Sequence, residues 1–121
     1  MKYIIDIDGT ICYTDKSEYT KSKPISSNID QVNNLYDQGH EIVYWTARGG
    51  NSGIDHSELT LKQLSDWGCK YHSVMFNKPT YDVWVDDKAS WIFSETPKAQ
   101  FSDELKERLK KLRERDPFIY R

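Results

Sequence analysis

Two aspartates stand one residue apart at the end of the first apolar run, where Asp6 and Asp8 flank Ile7 in YIIDIDGT. Carboxylates this close repel each other, and a fold tolerates them when a cation lies beside them. Asp6 lies inside the apolar run, where an unpaired carboxylate is costly, so a functional role is favoured over that of a turn residue. Since alternate side chains of a strand share a face, both carboxylates can reach one group if Gly9 bends the chain.

Polar residues also follow the other apolar runs of the chain. A Thr-Ala-Arg cluster (residues 46–48) follows EIVYW, Lys78 follows HSVMF, and an acidic pair, Asp86 and Asp87, ends DVWVDD. Ligands of parallel α/β sheets bind beyond the carboxyl ends of the strands, so these clusters are expected at one edge. Carboxylates suit Mg²⁺, lysine and threonine suit phosphoryl oxygens, and an aspartate can attack phosphorus. The residue types therefore predict phosphoryl transfer with Mg²⁺.

Strands and helices alternate along the chain in the predicted order β-α-β-α-β-β-α. Strands are expected over 3–8, 41–46, 72–76 and 82–86, and helices from 26–28 to Gly39, from Asp55 or Ser57 to Gly68, and over 102–115. This alternation favours an α/β fold with a parallel sheet. Residues 77–81 are too few for a helical crossover. The last two strands are therefore either antiparallel neighbours or joined by a short extended link.

Length and composition limit the class of protein. The chain has 121 residues, 30% of them charged and 37% apolar, with a net charge of −2 and two cysteines without metal-type spacing. These values predict one soluble domain with free thiols, and they give no argument for a nucleic-acid or membrane partner. An apolar strand directly after Met1 leaves no room for a signal peptide, and no apolar run is long enough to span a membrane, so a cytoplasmic location is expected.

The four motifs in this order resemble the haloacid dehalogenase superfamily of phosphohydrolases. The resemblance rests on DIDGT at residues 6–10, on Thr46 in VYWTAR, on Lys78 in NKP and on the acidic pair in VWVDDKA, and it extends roughly over residues 3 to 90. It implies a Rossmann-like three-layer sandwich with a mostly parallel sheet. It also implies a Mg²⁺-dependent phosphomonoesterase that forms a phosphoaspartyl intermediate.

The resemblance also implies a role for each motif residue. Asp6 is the nucleophile, and Asp8 protonates the leaving oxygen and then activates water. Mg²⁺ is held by Asp6, by the backbone carbonyl of Asp8 and by Asp86, with Asp87 acting through water. Lys78 also steadies Asp6. Residues at the ends of the second and third strands bind the phosphoryl group: Thr46, Ala47, Arg48, Lys78.

The short spacing between the lysine motif and the acidic motif makes the chain similar to one group within the superfamily. Only seven residues separate Lys78 from Asp86, which is similar to small members associated with bacterial capsule and surface-polysaccharide biosynthesis. That similarity implies a small phosphorylated metabolite as substrate, either a phosphosugar or an activated-sugar precursor. Lys88 is the alternative motif lysine. Neither gap between motifs holds a cap domain, so residues 1–121 are expected to form one capless domain, of a type that often completes its pocket in a homo-oligomer.

Other functions remain as alternatives. A phosphorylatable signalling module uses similar residues, but its adjacent acidic pair follows the first strand, whereas here that pair comes last. A nucleic-acid end phosphatase could use the basic helix predicted over 102–115, although the net charge of −2 argues against it. An inactive binding subunit is disfavoured by the presence of both Asp6 and Asp8.

The sequence allows more than one role for several residues. Arg48 either binds a phosphate or a carboxylate, or caps the second strand. The polar segment 12–25 is either a flap that recognises the leaving group or a solvated loop. The four tryptophans are expected to pack in the core or against helices: Trp45, Trp67, Trp84, Trp91.

Overall fold

The computed structural model describes residues 1–50, 52–95, 107, 108, 110 and 111. Most of the helix predicted over 102–115 lies outside the described residues, and the four described residues within it are helical. A short 3₁₀ turn spans Tyr19–Lys21. In chain order the other elements are β1 (Lys2–Ile5), β2 (Cys12–Tyr13), β3 (Lys23–Pro24), α1 (Ser26–Asp37), β4 (Glu41–Trp45), α2 (Ser57–Asp66) and β5 (Ser73–Met75).

The main sheet has three parallel strands in the order β1-β4-β5. Tyr3 pairs with Ile42 and Ile5 with Tyr44, so these four side chains lie on one face of the sheet. Ile42, Val43 and Tyr44 are all buried, with Val43 on the face opposite the other two. The predicted α/β class with a parallel sheet is confirmed for the described chain, which fits a Rossmann-like fold.

Both helices pack on the sheet face that carries Ile42 and Tyr44. The core there joins Ile29 and Val32 of α1 to Leu64 of α2. The opposite face leaves Ile4 of β1 more than half exposed. Within residues 1–50 and 52–95 the structure therefore has two layers, a sheet and one layer of helices, and the third layer of the predicted sandwich is not among them.

Both helices end at the predicted glycines. Gly39 has φ +92° and Gly68 has φ +72°, the left-handed conformation that closes a helix at little cost only for glycine. The start of α1 differs from the expectation, because the helix begins at Ser26 after Ile25 with no side-chain capping bond. At α2 the backbone N–H of Ser57 donates to the Asp55 carboxylate, which fixes the turn before the helix.

The predicted fourth strand is wrong for this structure. Residues 82–86 are extended or bent without sheet pairing, and Val85 is 91% exposed. Of the alternatives for the link at 77–81, neither applies, since no strand follows it within the described residues. None of the described helices has the length and hydropathy needed to cross a membrane.

Candidate functional site

Asp6 follows β1 directly and meets the predicted lysine. Its Oδ1 lies 3.5 Å from the Lys78 ammonium, and its Oδ2 accepts a 3.2 Å hydrogen bond from the Thr10 hydroxyl. Burial raises the pKa of Asp6, Lys78 lowers it, and the charge of Asp8 raises it further, with a net upward shift. Asp6 is thus a carboxylate whose ionised form is only partly compensated by its surroundings.

Gly9 makes the loop after β1 possible. Its φ of +80° lets the chain reverse, and the N–H groups of Thr10 and Ile11 both donate to the carbonyl of Ile7. Ile7 and Ile11 are fully buried beneath this loop. The apolar anchors hold the polar loop against the edge of the sheet, which confirms the bend predicted at Gly9.

The residues after β4 lie at the same edge. Thr46 is buried, and its backbone carbonyl accepts a 3.1 Å bond from the N–H of Lys78. Its hydroxyl oxygen accepts from the N–H of Arg48. Ala47 accepts a bond from the N–H of Gly50, which turns the chain immediately after the strand. The structure therefore brings together the ends of β1, β4 and β5, as the sequence predicted.

Asp8 is held by Arg48. The guanidinium donates from Nε to Oδ2 at 2.9 Å and from Nη2 to Oδ1 at 2.8 Å, a bidentate arrangement. The Arg48 side chain is fully buried, whereas that of Asp8 is 26% exposed. Burial by itself lowers the pKa of Arg48, but the hydrogen bonds and charge of Asp8 outweigh it and the net shift is upward.

Arg48 also joins the segment 12–25 to α2. Nη1 donates to Thr60 at 3.2 Å and to Gln63 at 2.5 Å, both on α2, and Nη2 reaches Ser22 at 3.5 Å. The ring of Tyr19 lies 4.8 Å from the guanidinium carbon. Every nitrogen of Arg48 is thus engaged with protein groups.

These contacts change the interpretation of Arg48. It was expected among the phosphate-binding residues, or as a strand cap, but the structure places it against the Asp8 carboxylate with no exposed surface. Of the roles predicted for Arg48, the structure shows contact with a carboxylate, and that carboxylate is the side chain of Asp8. Arg48 is therefore placed to position Asp8 rather than to meet a substrate.

Segment 12–25 is ordered around the same pair. Its two short strands, β2 and β3, pair antiparallel. Thr14 donates to Asp8 Oδ1 at 2.6 Å and also lies 2.6 Å from the Ser22 hydroxyl. Gln63 donates to the carbonyl of Tyr19. The segment 12–25 is therefore part of the site and not only a solvated loop, because its hydroxyl groups help to position Asp8.

The hydrogen bonds of the predicted acidic pair are made within its own segment, next to Trp84. Asp86 and Asp87 are exposed, and Asp86 accepts bonds from the Lys88 N–H at 3.0 Å and from the Trp84 indole at 3.3 Å. The Lys88 bond, more than any other contact, holds the pKa of Asp86 below its ordinary value. Among the residues described, no three Asp, Glu, His or Cys side chains form a group able to hold a metal ion.

Lys78 is surrounded by aromatic rings. Its ammonium lies 5.2 Å, 5.5 Å and 6.0 Å from the ring centroids of Tyr81, Trp84 and Trp45, and its side chain is 11% exposed. Lys88 is exposed, and its backbone N–H contacts Asp86. Of the two candidate motif lysines, the structure thus places Lys78 beside Asp6.

The tryptophans only partly follow the expectation. Trp45 and Trp67 are partly buried, and Trp67 packs against the core, but Trp84 and Trp91 are 41% and 40% exposed, so core packing does not hold for these two. Four further residues of the site belong to none of the sequence motifs: Thr14, Ser22, Thr60, Gln63. Thr60 and Gln63 fall at helical spacing beside Leu64, and this pattern of polar residues on the apolar face of α2 could have identified them.

The fold and site define a parallel α/β protein with a polar site at the carboxyl ends of its strands. A crystal structure of a Vibrio cholerae protein, a structural-genomics target, is similar with a TM-score of 0.67 and 26% sequence identity, over 92% of this chain and 98% of that one. No protein-family model matches the chain, and the curated proteins gave no match.

Proposed function

We propose that the protein is a Mg²⁺-dependent phosphomonoesterase with a haloacid-dehalogenase-type site, in which Asp6 forms a phosphoaspartyl intermediate. One observation carries the proposal: Asp6 lies at the end of β1 between the Lys78 ammonium and the Thr10 hydroxyl, with Asp8 close enough to raise its pKa. A carboxylate beside a cation and a donor at a strand end is arranged for attack on a phosphoryl group.

Asp6 and Asp8 divide the chemistry. A carboxylate oxygen of Asp6 bonds to phosphorus while the ester bond to the leaving oxygen breaks, and Asp8 passes a proton to that oxygen. Water then attacks the phosphorus of the aspartyl-phosphate, Asp8 takes the proton, and inorganic phosphate leaves with Asp6 restored. Because Arg48 and Thr14 hold Asp8 in this structure, Asp8 exchanges one of these contacts for the leaving oxygen when substrate is bound.

Lys78 and the end of β4 bind the phosphoryl group. Lys78 neutralises charge on the phosphoryl oxygens and on Asp6, and the rings around it limit its mobility. The Thr46 hydroxyl oxygen accepts from Arg48 N–H, so its own proton is free to be directed to an acceptor. Ala47 contributes through its backbone, at the turn that follows the strand.

Magnesium fits the donors at Asp6. Mg²⁺ commonly uses one or two protein carboxylates and completes its shell with water and substrate phosphate, so a third side chain is not required. The Asp8 side-chain oxygens accept bonds from Arg48 and Thr14, which suits the proposal that Asp8 contributes its backbone carbonyl. When bound, the ion would neutralise charge on the phosphoryl oxygens. We also propose Asp86 and Asp87 as Mg²⁺ ligands. To bind the ion, Asp86 would have to give up its hydrogen bonds from the Trp84 indole and the Lys88 backbone N–H.

The substrate class is proposed as a small phosphorylated metabolite. The resemblance to polysaccharide-biosynthesis members supports a phosphosugar or an activated-sugar precursor, processed in the cytoplasm by one subunit or by a homo-oligomer. A nucleic-acid end phosphatase is the alternative, and salt-dependent binding of an oligonucleotide would favour it.

Phosphate release from a generic phosphomonoester tests the function. The purified protein should require Mg²⁺, and Asp6→Asn should lower kcat by at least about 10³-fold because the nucleophile is lost. Asp30→Asn is the control, since Asp30 lies on the exposed side of α1 and should retain full activity. Full activity of Asp6→Asn, or turnover in a chelator, would contradict the mechanism. A raised Mg²⁺ requirement in Asp86→Asn but not in Asp82→Asn would support Asp86 as a ligand.

A further inference from the structure

Two half-exposed aromatic rings, Tyr81 and Trp84, stand beside the proposed phosphate site. They are 48% and 41% exposed, although aromatic side chains of this size are usually mostly buried. Their centroids lie 5.1 Å apart at an interplanar angle of 64°, and Trp84 also packs edge-on against Trp45 at 6.0 Å. These contacts fix the two rings as a corner, which we call the aromatic corner, with ring surface left open to solvent.

Lys78 connects the aromatic corner to Asp6. The same ammonium lies 3.5 Å from Asp6 Oδ1 and within 5.5 Å of both ring centroids. A phosphoryl group held between Asp6 and Lys78 therefore has ring surface next to it, on the lysine side. The ester substituent of a substrate is the part of the molecule that can cover that surface. If the two rings served only to hold Lys78 by cation–π contact, they would not need to stay half exposed.

The charge around the corner limits what can bind there. The segment 81–88 carries three exposed carboxylates, from Asp82, Asp86 and Asp87, against one exposed lysine, Lys88. Lys78 is already paired with Asp6. A second phosphate or an acidic leaving group would be repelled by any of these carboxylates that does not hold Mg²⁺, such as Asp82, whereas a hydroxyl group can donate to it.

The two rings can contact one ligand ring in two ways. At 64° a ligand ring that stacks on one of them meets the other at its edge. A saturated ring presents C–H groups on its face and its edge, so it can contact both members of the corner. Apolar contact with a few converging polar groups is the usual composition of a small-molecule site.

We propose that Tyr81 and Trp84 are the leaving-group subsite, and that they select phosphate esters of an uncharged, hydroxylated saturated ring. This inference rests on the proposed function, because it takes Asp6 and Lys78 as the phosphate site. Tyr81 lies outside the four motifs, and Trp84 lies in VWVDDKA but has no role there by the resemblance.

Calorimetric binding in the Asp6→Asn background, with Mg²⁺ present, tests the subsite independently of turnover. The probes are a glucose monophosphate, glycerol monophosphate and adenosine monophosphate. We expect the glucose ester to bind about tenfold more tightly than the glycerol ester. Tyr81→Leu and Trp84→Leu should remove that difference, and Trp84→Phe should keep part of it. Trp91→Leu is the matched control, because Trp91 is equally exposed but packs on Phe93.

Each result decides between the two proposals. Equal binding of the glucose and glycerol esters, or a preference that survives both leucine variants, overturns the subsite. Tighter binding of adenosine monophosphate than of the glucose ester overturns it as well, since a flat base would then be recognised. If the parent protein hydrolyses glycerol monophosphate without a ring preference, the phosphatase function stands and only the subsite fails. No turnover and no binding of any ester contradicts both.

Discussion

Asp6 combines partial burial with incomplete charge compensation. Lys78 and Thr10 each contact one carboxylate oxygen, yet burial and the nearby Asp8 still raise its pKa. A carboxylate at a strand end whose surroundings disfavour its charge is typical of a functional site. Because the charged form of Asp6 is disfavoured, the free energy of unfolding should depend on pH through this residue.

Asp6→Asn should change the pH dependence of stability in metal-free buffer. The folded pKa of Asp6 is raised above its ordinary value of 3.8, so the native state holds a proton that the unfolded state has released. The contribution of Asp6 is therefore fully present below that value and is lost as pH rises through the folded pKa. Urea unfolding should show the parent losing stability relative to Asp6→Asn as pH rises from about 4 to about 7. A parent that gains relative stability over that interval would exclude this account.

Both cysteines should be unreactive in the native state. Burial raises the pKa of Cys12 to about 12, with the charge of Asp8 adding to the shift, and burial raises that of Cys69 to about 11. Both are free, and Cys12 is fully buried. Since the thiolate is the reactive form, a thiol reagent at neutral pH should label Cys12 only as the protein unfolds. The labelling is measured by mass spectrometry. If Cys12 is labelled faster than the protein unfolds, Cys12 is not buried as the structure shows.

At the scale of the elements, one side chain connects three parts of the chain. Arg48 follows β4, contacts Asp8 after β1, reaches Thr60 and Gln63 on α2, and approaches Ser22 in the segment 12–25. None of these elements shares backbone pairing with α2. Their relative positions at the site therefore depend on polar side-chain contacts made in a buried space.

Arg48→Met should destabilise the protein and release the segment 12–25. The substitution leaves the partly buried Asp8 carboxylate uncompensated and removes the bonds to Thr60 and Gln63, so we expect a loss of about 3 kcal/mol in the free energy of unfolding. Hydrogen exchange of residues 12–25 should rise, and Arg48→Lys should give a smaller effect because the charge is kept. The control is Lys62→Met, which removes an exposed pair with Asp66 and should cost less than about 0.5 kcal/mol. Equal effects of the two methionine variants would show that Arg48 does not have this role.

At the scale of the molecule, the core cluster of the described residues lies on one face of the sheet. Residues from β1, β4, α1, α2 and the loop after β1 meet there, with Tyr44, Ile7 and Leu64 among its largest fully buried side chains. Ile7 and Ile11 belong to both the core and the Asp6–Asp8 loop. Stability and site geometry are therefore coupled through the same buried residues.

Leu64→Ala should cost about 2–5 kcal/mol, because Leu64 is fully buried between α2 and the sheet and its loss leaves a cavity. Leu61→Ala on the same helix is the matched control, since Leu61 is 42% exposed and should cost less than about 1 kcal/mol. Urea unfolding of the two variants gives the comparison. A similar cost for both would show that α2 does not pack through Leu64.

The sequence by itself determined the parallel α/β class, both helix ends and the bend at Gly9, and it placed Asp6 and Lys78 at the same edge of the sheet. These follow from local rules: apolar periodicity, the φ that only glycine adopts easily, and the convergence of parallel strand ends. The fourth strand failed because an apolar run such as DVWVD shows β-propensity but not which partner it pairs with. Only the tertiary structure decided that Arg48 holds Asp8 and that Tyr81 and Trp84 lie open beside Lys78. The direction of a long polar or aromatic side chain depends on neighbours distant in sequence, and no local pattern records them.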